Sequence, residues 1–258
     1  MTILYTVFGF VFGIIIGSFL NVVIYRLYKG AAVTGYSACP SCRHRLSVSD
    51  LVPVISFLAL GGRCRYCSKS ISWQYPAVEL ACGLLFGYAA SQAFLSEPFD
   101  FVPFAFQLLF ISLLIVIFTF DFRYYLIPNE IVIIGAVAAM LMRITLSQHS
   151  IIDGVWGTLV VGGFFAVLYF ISRGHWIGFG DVKLGIFLGL LLGFTNSLLM
   201  LLLAYVSGAI VGVALVIAKR KSMQGVLPFG TFLTAASIVM LISGDALREW
   251  YLNFIYQL

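Results

Sequence analysis

Charge is the scarcest commodity in this chain. Only 10% of its 258 residues are charged, whereas 62% are hydrophobic and the mean hydropathy is +1.06; soluble domains carry about 25% charge, so a soluble globular protein is excluded. Residues 1–25 contain no charged side chain at all. The opening apolar stretch therefore lacks the basic leader of a cleaved secretory signal, is too long for one, and has its positive charge after it. No glycine-rich dinucleotide fingerprint follows a strand-like segment, so any nucleotide-type cofactor has no motif of its own here. Paired internal repeats, common in transporters, are not visible either.

What is present is a series of apolar runs, each long enough to cross a ~30 Å hydrocarbon layer. They fall at roughly 3–25, 77–96, 101–120, 127–147, 154–172, 183–197, 198–218 and 225–243. The expectation is an all-α polytopic membrane protein of about eight transmembrane helices, with 183–218 the least clearly divided stretch. With the N-terminus outside, 13 of the 15 basic residues lie inside: Arg26, Lys29, Arg43, Arg45, Arg63, Arg65, Lys69, Arg123, Arg173, Lys183, Lys219, Arg220 and Lys221. Only Arg143 and Arg248 lie outside. The positive-inside rule accounts for this split, and the net charge of +5 needs no nucleic acid to explain it.

Small residues recur at every fourth position in two segments, Gly9, Gly13 and Gly17 in the first and Gly185, Gly189 and Gly193 in the sixth. Such stripes allow close helix packing. Asn21 continues the first stripe; packing with a hydrogen-bonded amide and a functional role both remain open for it. The exception to the apolar pattern is residues 26–76, polar and basic, predicted to form a small domain on the inner face. Cys39 and Cys42, then Cys64 and Cys67, make two CxxC knuckles separated by 21 residues, close to the spacing of four-cysteine zinc ribbons. A structural zinc would replace a core that some fifty residues cannot build alone. Disulfides are the rival reading, disfavoured in a reducing compartment, and His44 is a possible substitute ligand. Cys82 reads as a small buried apolar residue.

Of the ten acids, Glu97, Asp100, Asp153, Asp245 and Glu249 fall in outer loops or the tail, where solvation suffices. Asp50 lies in the cysteine segment. Glu79, Asp121, Glu130 and Asp181 lie in or at the edge of membrane helices, where an ionisable group is a functional candidate by default. Asp121 sits at the inner end of the third helix, the negative end of the helix dipole, so capping its own helix does not explain it. Asp181, in "GFGDVKL", has a structural reading as an N-cap flanked by turn glycines. Two intervening crossings return Asp181 to the face of Asp121, and paired carboxylates can share a proton, one activating water and the other protonating a carbonyl. Gly178 and Gly180 would then let a substrate backbone approach Asp181.

"GSFLNVVIYRL" (17–27), "CPSC" through "LVPVISFLALGGRCRYC", "ISWQYPAVEL" (71–80), "DFRYYLIPN" (121–129), "GFGDVKLGIFLG" (178–189) and "LPFG" (227–230) together resemble the bacterial type IV prepilin peptidases, of the GxGD aspartic membrane protease group. The resemblance covers most of the chain. It implies a multi-pass protein of the bacterial inner membrane, with a periplasmic N-terminus (helix 1 over 1–25), a cytoplasmic zinc-binding domain (26–76) and a transmembrane peptidase domain (77–258). It further implies catalytic Asp121 and Asp181 at the cytoplasmic side, and zinc on Cys39, Cys42, Cys64 and Cys67. The implied reaction removes the basic leader from type IV prepilins or type II secretion pseudopilins and N-methylates the new terminus with S-adenosylmethionine. Asn21, Arg26, Asp50 and Glu79 are weak candidates for orienting that cofactor or the pilin, against a blander role in structural salt bridges. Lys183 would meet substrate carbonyls or the headgroups of membrane lipid.

Three positions depart from the family pattern. Tyr28 stands where Pro is expected, Asn129 where Asp is usual, and Thr231 where Pro usually follows "PFG". The alternative of a different class is a proton-coupled multi-pass transporter with the zinc knuckles as a regulatory domain.

Overall fold

A computed structural model describes residues 2–95, 99–146, 150–218 and 227–256. Lys219, Arg220 and Lys221, counted above with the inner charges, and Glu97, assigned to an outer loop, lie outside the described residues. The described residues form helices α1 (Thr2–Tyr28), α2 (Ile55–Ala59), α3 (Gln74–Ala93), α4 (Phe101–Tyr124), α5 (Asn129–Thr145), α6 (Ile151–Ser172), α7 (Phe179–Leu192), α8 (Phe194–Ile217) and α9 (Phe229–Tyr256), the last kinked at Ser243. Among the described residues no extended sheet accompanies them; two isolated β-bridges occur in the cysteine segment.

Among the described residues, five helices are long and apolar enough to cross a membrane: α1, α4, α6, α8 and Phe229–Tyr251 of α9. A helix overlaps each of the eight apolar runs, but α3, α5 and α7 do not meet that test. At 17 and 14 residues, α5 and α7 fall short of the roughly 20 that a bilayer core demands. Two boundaries also differ from expectation. The third helix continues to Tyr124, so Asp121 lies inside its last turn, and the 183–218 stretch divides at Gly193. Gly193 has φ +77, a left-handed conformation that costs glycine little, and α8 begins at the next residue.

The chain divides into two compact units, Met1–Val116 and Ile117–Leu258. In the first, the α1 glycines pack on α3: a Cβ on Gly13 would lie 2.6 Å from the Cys82 carbonyl oxygen, and one on Gly17 would lie 2.7 Å from the Glu79 Cα. Cys82 itself is fully buried, as expected. In the second unit, α6 and α7 meet with similar closeness. A Cβ on Gly189 would stand 2.3 Å from the Gly157 carbonyl oxygen.

Candidate active site and metal centre

The two CxxC knuckles have one backbone design. Cys39 N–H donates to the His44 carbonyl (3.0 Å) and Arg43 N–H to that of Cys39 (2.9 Å); Cys64 N–H donates to Lys69 (2.9 Å) and Ser68 N–H to Cys64 (2.9 Å). Arg43 and Ser68, each just after the second cysteine of its knuckle, take φ +60 and +57. Each loop thereby turns both its sulfurs to one side. The four sulfurs lie within 4.8 Å of one another, Cys39 and Cys67 at 3.9 Å, and all are free thiols. A tetrahedron with ~2.3 Å zinc–sulfur bonds has sulfurs about 3.8 Å apart, so the quartet could hold a zinc ion. The disulfide reading fails on these separations. His44 is not among the clustered ligand atoms; its ring stacks on Tyr66 at 3.7 Å.

Electrostatics points the same way. Burial raises the Cys39 thiol, but backbone donors at Cys42 and Ser41 outweigh it and bring it down to about 7. At Cys67 the Lys69 backbone lowers the thiol, yet desolvation and the neighbouring cysteines push it up to about 11. Four crowded thiols cannot all ionise without a cation between them.

Asp50 ties the second knuckle to Ser47, in the segment that follows the first. Its carboxylate, 3% exposed, accepts from Ser47 N (3.0 Å) and Ser47 Oγ (2.7 Å) on one side, and from Arg65 Nε (2.7 Å) and Tyr66 Oη (3.1 Å) in the second knuckle on the other. The Ser47 hydroxyl and the Arg65 guanidinium, with these other donors, hold the Asp50 carboxyl well below the usual carboxylate range.

The other weak cofactor candidates are also engaged within the first unit. Asn21 Nδ2 donates to the carbonyls of Gly17 (3.3 Å) and Tyr75 (3.0 Å), joining α1 to the start of α3. Arg26 donates to the carbonyls of Ala32, Thr34, Gly35 and Tyr36, closing the turn after α1. Glu79, buried, accepts from Val54 N at 2.8 Å. Val54 has φ +62 and ψ −50, with Ile55 N–H bonded to the Pro53 carbonyl at 2.6 Å. That is a strained turn for a β-branched residue, and the Glu79 carboxylate anchors its amide.

In the second unit, Asp121 and Asp181 come together from the last turn of α4 and the first turn of α7, close enough for their charges to interact. Asp121 is 5% exposed and Asp181 half-buried. The N-cap of α7 is Gly178, and Asp181 is the third residue of the helix. Gly178 has φ −78, so no left-handed turn requires a glycine there; nothing stands closer than 3.8 Å to where its Cβ would be. At Gly180 the nearest atom would be Ile127 at 3.3 Å. Lys183 donates to Asn129 Oδ1 at the start of α5 and lies over the Phe179 ring at 5.5 Å. Glu130 is exposed in the first turn of α5, where the dipole favours an acid.

Two participants were not expected from sequence. Thr231, one of the family departures, donates from its backbone N (2.5 Å) and its Oγ1 (2.9 Å) to Asp121 Oδ2. Asp121 thus lies at the favourable N-terminal end of α9 although it ends α4. The only advance signal was the departure itself. Asp153, assigned to solvent in an outer loop, instead accepts from Phe194 N (3.0 Å) at the start of α8 and pairs with Arg143 at 3.5 Å. Arg143, 4% exposed, also donates to the Leu190, Leu191 and Ser150 carbonyls. The acid and the base serve as helix-end locks, a role that spacing does not reveal.

Comparison with known proteins follows this geometry. Residues 11–93 match the bacterial peptidase A24 N-terminal domain, and residues 108–213 match the type IV leader peptidase family. A prepilin leader peptidase/N-methyltransferase of Bacillus subtilis is 33% identical over 246 residues, covering 95% of this chain and 96% of the relative. Relatives of the same name from Stutzerimonas stutzeri (32% over 275 residues, 95% and 92% covered) and Pseudomonas aeruginosa (30% over 271, 94% and 91%) match similarly. No solved structure matches. On these matches, spread over both units, the chain belongs to the type IV leader peptidase family.

Proposed function

We propose that this protein is an aspartic endopeptidase of the bacterial inner membrane. It removes the basic leader from type IV prepilins or type II secretion pseudopilins and N-methylates the exposed terminus. The observation that carries this reading is the meeting of Asp121 and Asp181, sixty residues apart in sequence, with Asp121 buried. Two carboxylates so placed share one proton; one takes a proton from the attacking water while the other protonates the scissile carbonyl oxygen. With no side chain at Gly178, an extended substrate can approach Asp181, whose Oδ2 lies 3.9 Å from where a Cβ would stand there. Family membership does not favour the transporter alternative.

In this proposal eight segments cross the membrane, with α3, α5 and α7 shielded by longer neighbours, and the N-terminus is periplasmic. The cysteine domain of residues 26–76 and the aspartate pair then face the cytoplasm, where a prepilin keeps its basic leader. Zinc on Cys39, Cys42, Cys64 and Cys67 would hold the two knuckles as one body, a structural task. The relatives' name carries methyl transfer, for which S-adenosylmethionine supplies an electrophilic methyl group. Asn21, Arg26, Asp50 and Glu79 have polar atoms committed to the chain itself, so their part is to shape the first unit. Lys183, held by Asn129, meets lipid headgroups or substrate carbonyls.

Co-expression with a prepilin in membranes tests the peptidase reading by leader removal on a gel. Asp121→Asn and Asp181→Asn are expected to abolish cleavage while leaving methylation of an already trimmed pilin intact. Asparagine keeps the acceptor oxygen that Thr231 needs, so folding is preserved. Cleavage surviving both substitutions would sink the dyad.

A further inference from the structure

We propose that Thr231 is a positioning residue that assigns the two roles in the aspartate pair, making Asp121 the ionised base and leaving the shared proton on Asp181. The inference rests on the peptidase reading above and goes further, by separating two carboxylates that the chemistry alone leaves interchangeable.

The asymmetry lies in the donors. Asp121 Oδ2 accepts two hydrogen bonds from one residue, Thr231 N at 2.5 Å and Thr231 Oγ1 at 2.9 Å, and both residues are buried. A carboxylate oxygen has two lone pairs, so Oδ2 is fully occupied. The backbone N–H can only donate, and it keeps Oδ2 an acceptor. Fixed donors of this kind favour the charged form. The amide of Thr231 belongs to the first turn of α9, one of the N–H groups with no partner inside its helix. That turn is stiffened from within, because Thr234 Oγ1 donates to the Gly230 (2.8 Å) and Thr231 (3.1 Å) carbonyls. Gly230 makes the approach possible: a Cβ there would stand 3.0 Å from both Cγ and Oδ2 of Asp121. Among the described residues no side chain donates to the Asp181 carboxylate, and the Asp181 amide is bonded to the Gly178 carbonyl at 3.1 Å.

Oδ1 of Asp121 is then the atom that takes a proton from water as the water oxygen bonds the scissile carbon. Asp181 gives its proton to the carbonyl oxygen as the π bond opens. On collapse of the diol the C–N bond breaks, the amine leaves with the proton from Asp121, and Asp181 recovers one from the diol hydroxyl. Both acids return to their starting state. Among the described residues, the ionisable side chains on the elements around the pair include Tyr205 of α8, Tyr169 of α6, whose ring meets that of Phe179 at 5.4 Å, Lys183 of α7, held by Asn129 of α5, and Arg123 and Tyr124, which follow Asp121 on α4. The first turn of α9 supplies none.

The test is the pH profile of leader cleavage by the full-length protein in detergent. Thr231→Val removes the hydroxyl and keeps the amide. The acid limb is expected to move to higher pH by about one unit, the shift of losing one hydrogen bond to a charged group, with an approximately tenfold loss of kcat/KM on that limb. Thr231→Ser is expected to restore the wild-type profile. If Thr231→Val does not accumulate, Thr231→Ala makes the same deletion. An unmoved profile, or failure of Thr231→Ser to restore it, overturns the positioning role; a shift of the alkaline limb instead overturns the assignment of roles. Asp121→Asn, run in parallel, keeps the outcomes apart. An active Asp121→Asn protein refutes the peptidase reading, whereas an inactive one beside an unaltered Thr231→Val refutes only this inference.

Discussion

Replacing Gly189 with Ala is expected to damage catalysis from about 12 Å away, at eight residues and 1.5 Å of rise per residue from Asp181. The added Cβ would lie 2.3 Å from the Gly157 carbonyl oxygen and 2.6 Å from Thr158 N. Ordinary contact begins near 3.4 Å, so the shortfall is about 1.1 Å. Both surfaces are helix backbone, and no side-chain rotation can relieve it. The helices must part by about 1 Å, at an overpacking cost of about 1–3 kcal/mol. Because α7 carries Asp181 in its first turn, a displacement of that size at the dyad would slow cleavage about 100-fold. Two neighbours calibrate the effect. A Cβ at Gly185 meets the buried Phe165 ring at 2.8 Å but backbone, the Val161 carbonyl oxygen, only at 3.2 Å, so Gly185→Ala should lose less than Gly189→Ala. At Gly163 nothing lies within 4 Å, and Gly163→Ala should cleave at the wild-type rate. Initial rates of leader removal and thermal unfolding of the three purified variants decide it. If Gly189→Ala cleaves as fast as Gly163→Ala, the close α6–α7 packing does not position the site.

Three further outcomes are expected. Stoichiometric zinc, measured by elemental analysis of the purified protein, should be lost in Cys39→Ser and in Cys64→Ser; zinc persisting in the double variant would refute the four-sulfur site. Asp50→Asn should loosen the cysteine segment, giving faster amide hydrogen exchange within residues 36–73, read at each pH against the intrinsic exchange rate. The Asp50 carboxyl is held below the ~3.9 of an unfolded aspartate, so its contribution is complete at neutral pH and is lost as pH falls below about 4 toward the folded value. The difference between wild type and Asp50→Asn should therefore be constant from pH 7 to 5 and close below about 4; a constant gap would assign the effect to shape alone. Arg143→Met, which frees the Leu190, Leu191 and Ser150 carbonyls and Asp153, should lower thermal stability by about 2–4 kcal/mol, and loss of less than half that amount would show that water replaces the guanidinium.

The membrane class, the helical elements and the metal quartet were legible because each rests on local chemistry: runs of apolar residues, small residues every four positions, and cysteine pairs two apart. The pairing of Asp121 with Asp181 follows from the sequence only where both intervening helices cross the membrane, and of the two α6 alone is long and apolar enough. Exact helix ends were less legible. Asp121 and Asp181 both proved to lie inside helices, because Tyr125 at φ +56 and Gly178 at the α7 N-cap set those ends, and neither looks decisive in a string of letters.

The sequence by itself determined that this chain belongs in a bilayer, that two carboxylates stand out at the ends of apolar helices, and that four cysteines can gather. These follow from composition and spacing within single segments. Only the tertiary structure decided that Thr231 caps the carboxylate of Asp121 from a helix 110 residues away, that Asp153 and Arg143 close the ends of α7 and α8, and that Asp50 binds Arg65 and Tyr66 of the second knuckle. A hydrogen-bond donor carries no mark of its acceptor in the sequence. The partner is chosen when packing brings two helix ends together with no water between them, and a buried charge must then be met by whatever donors stand there.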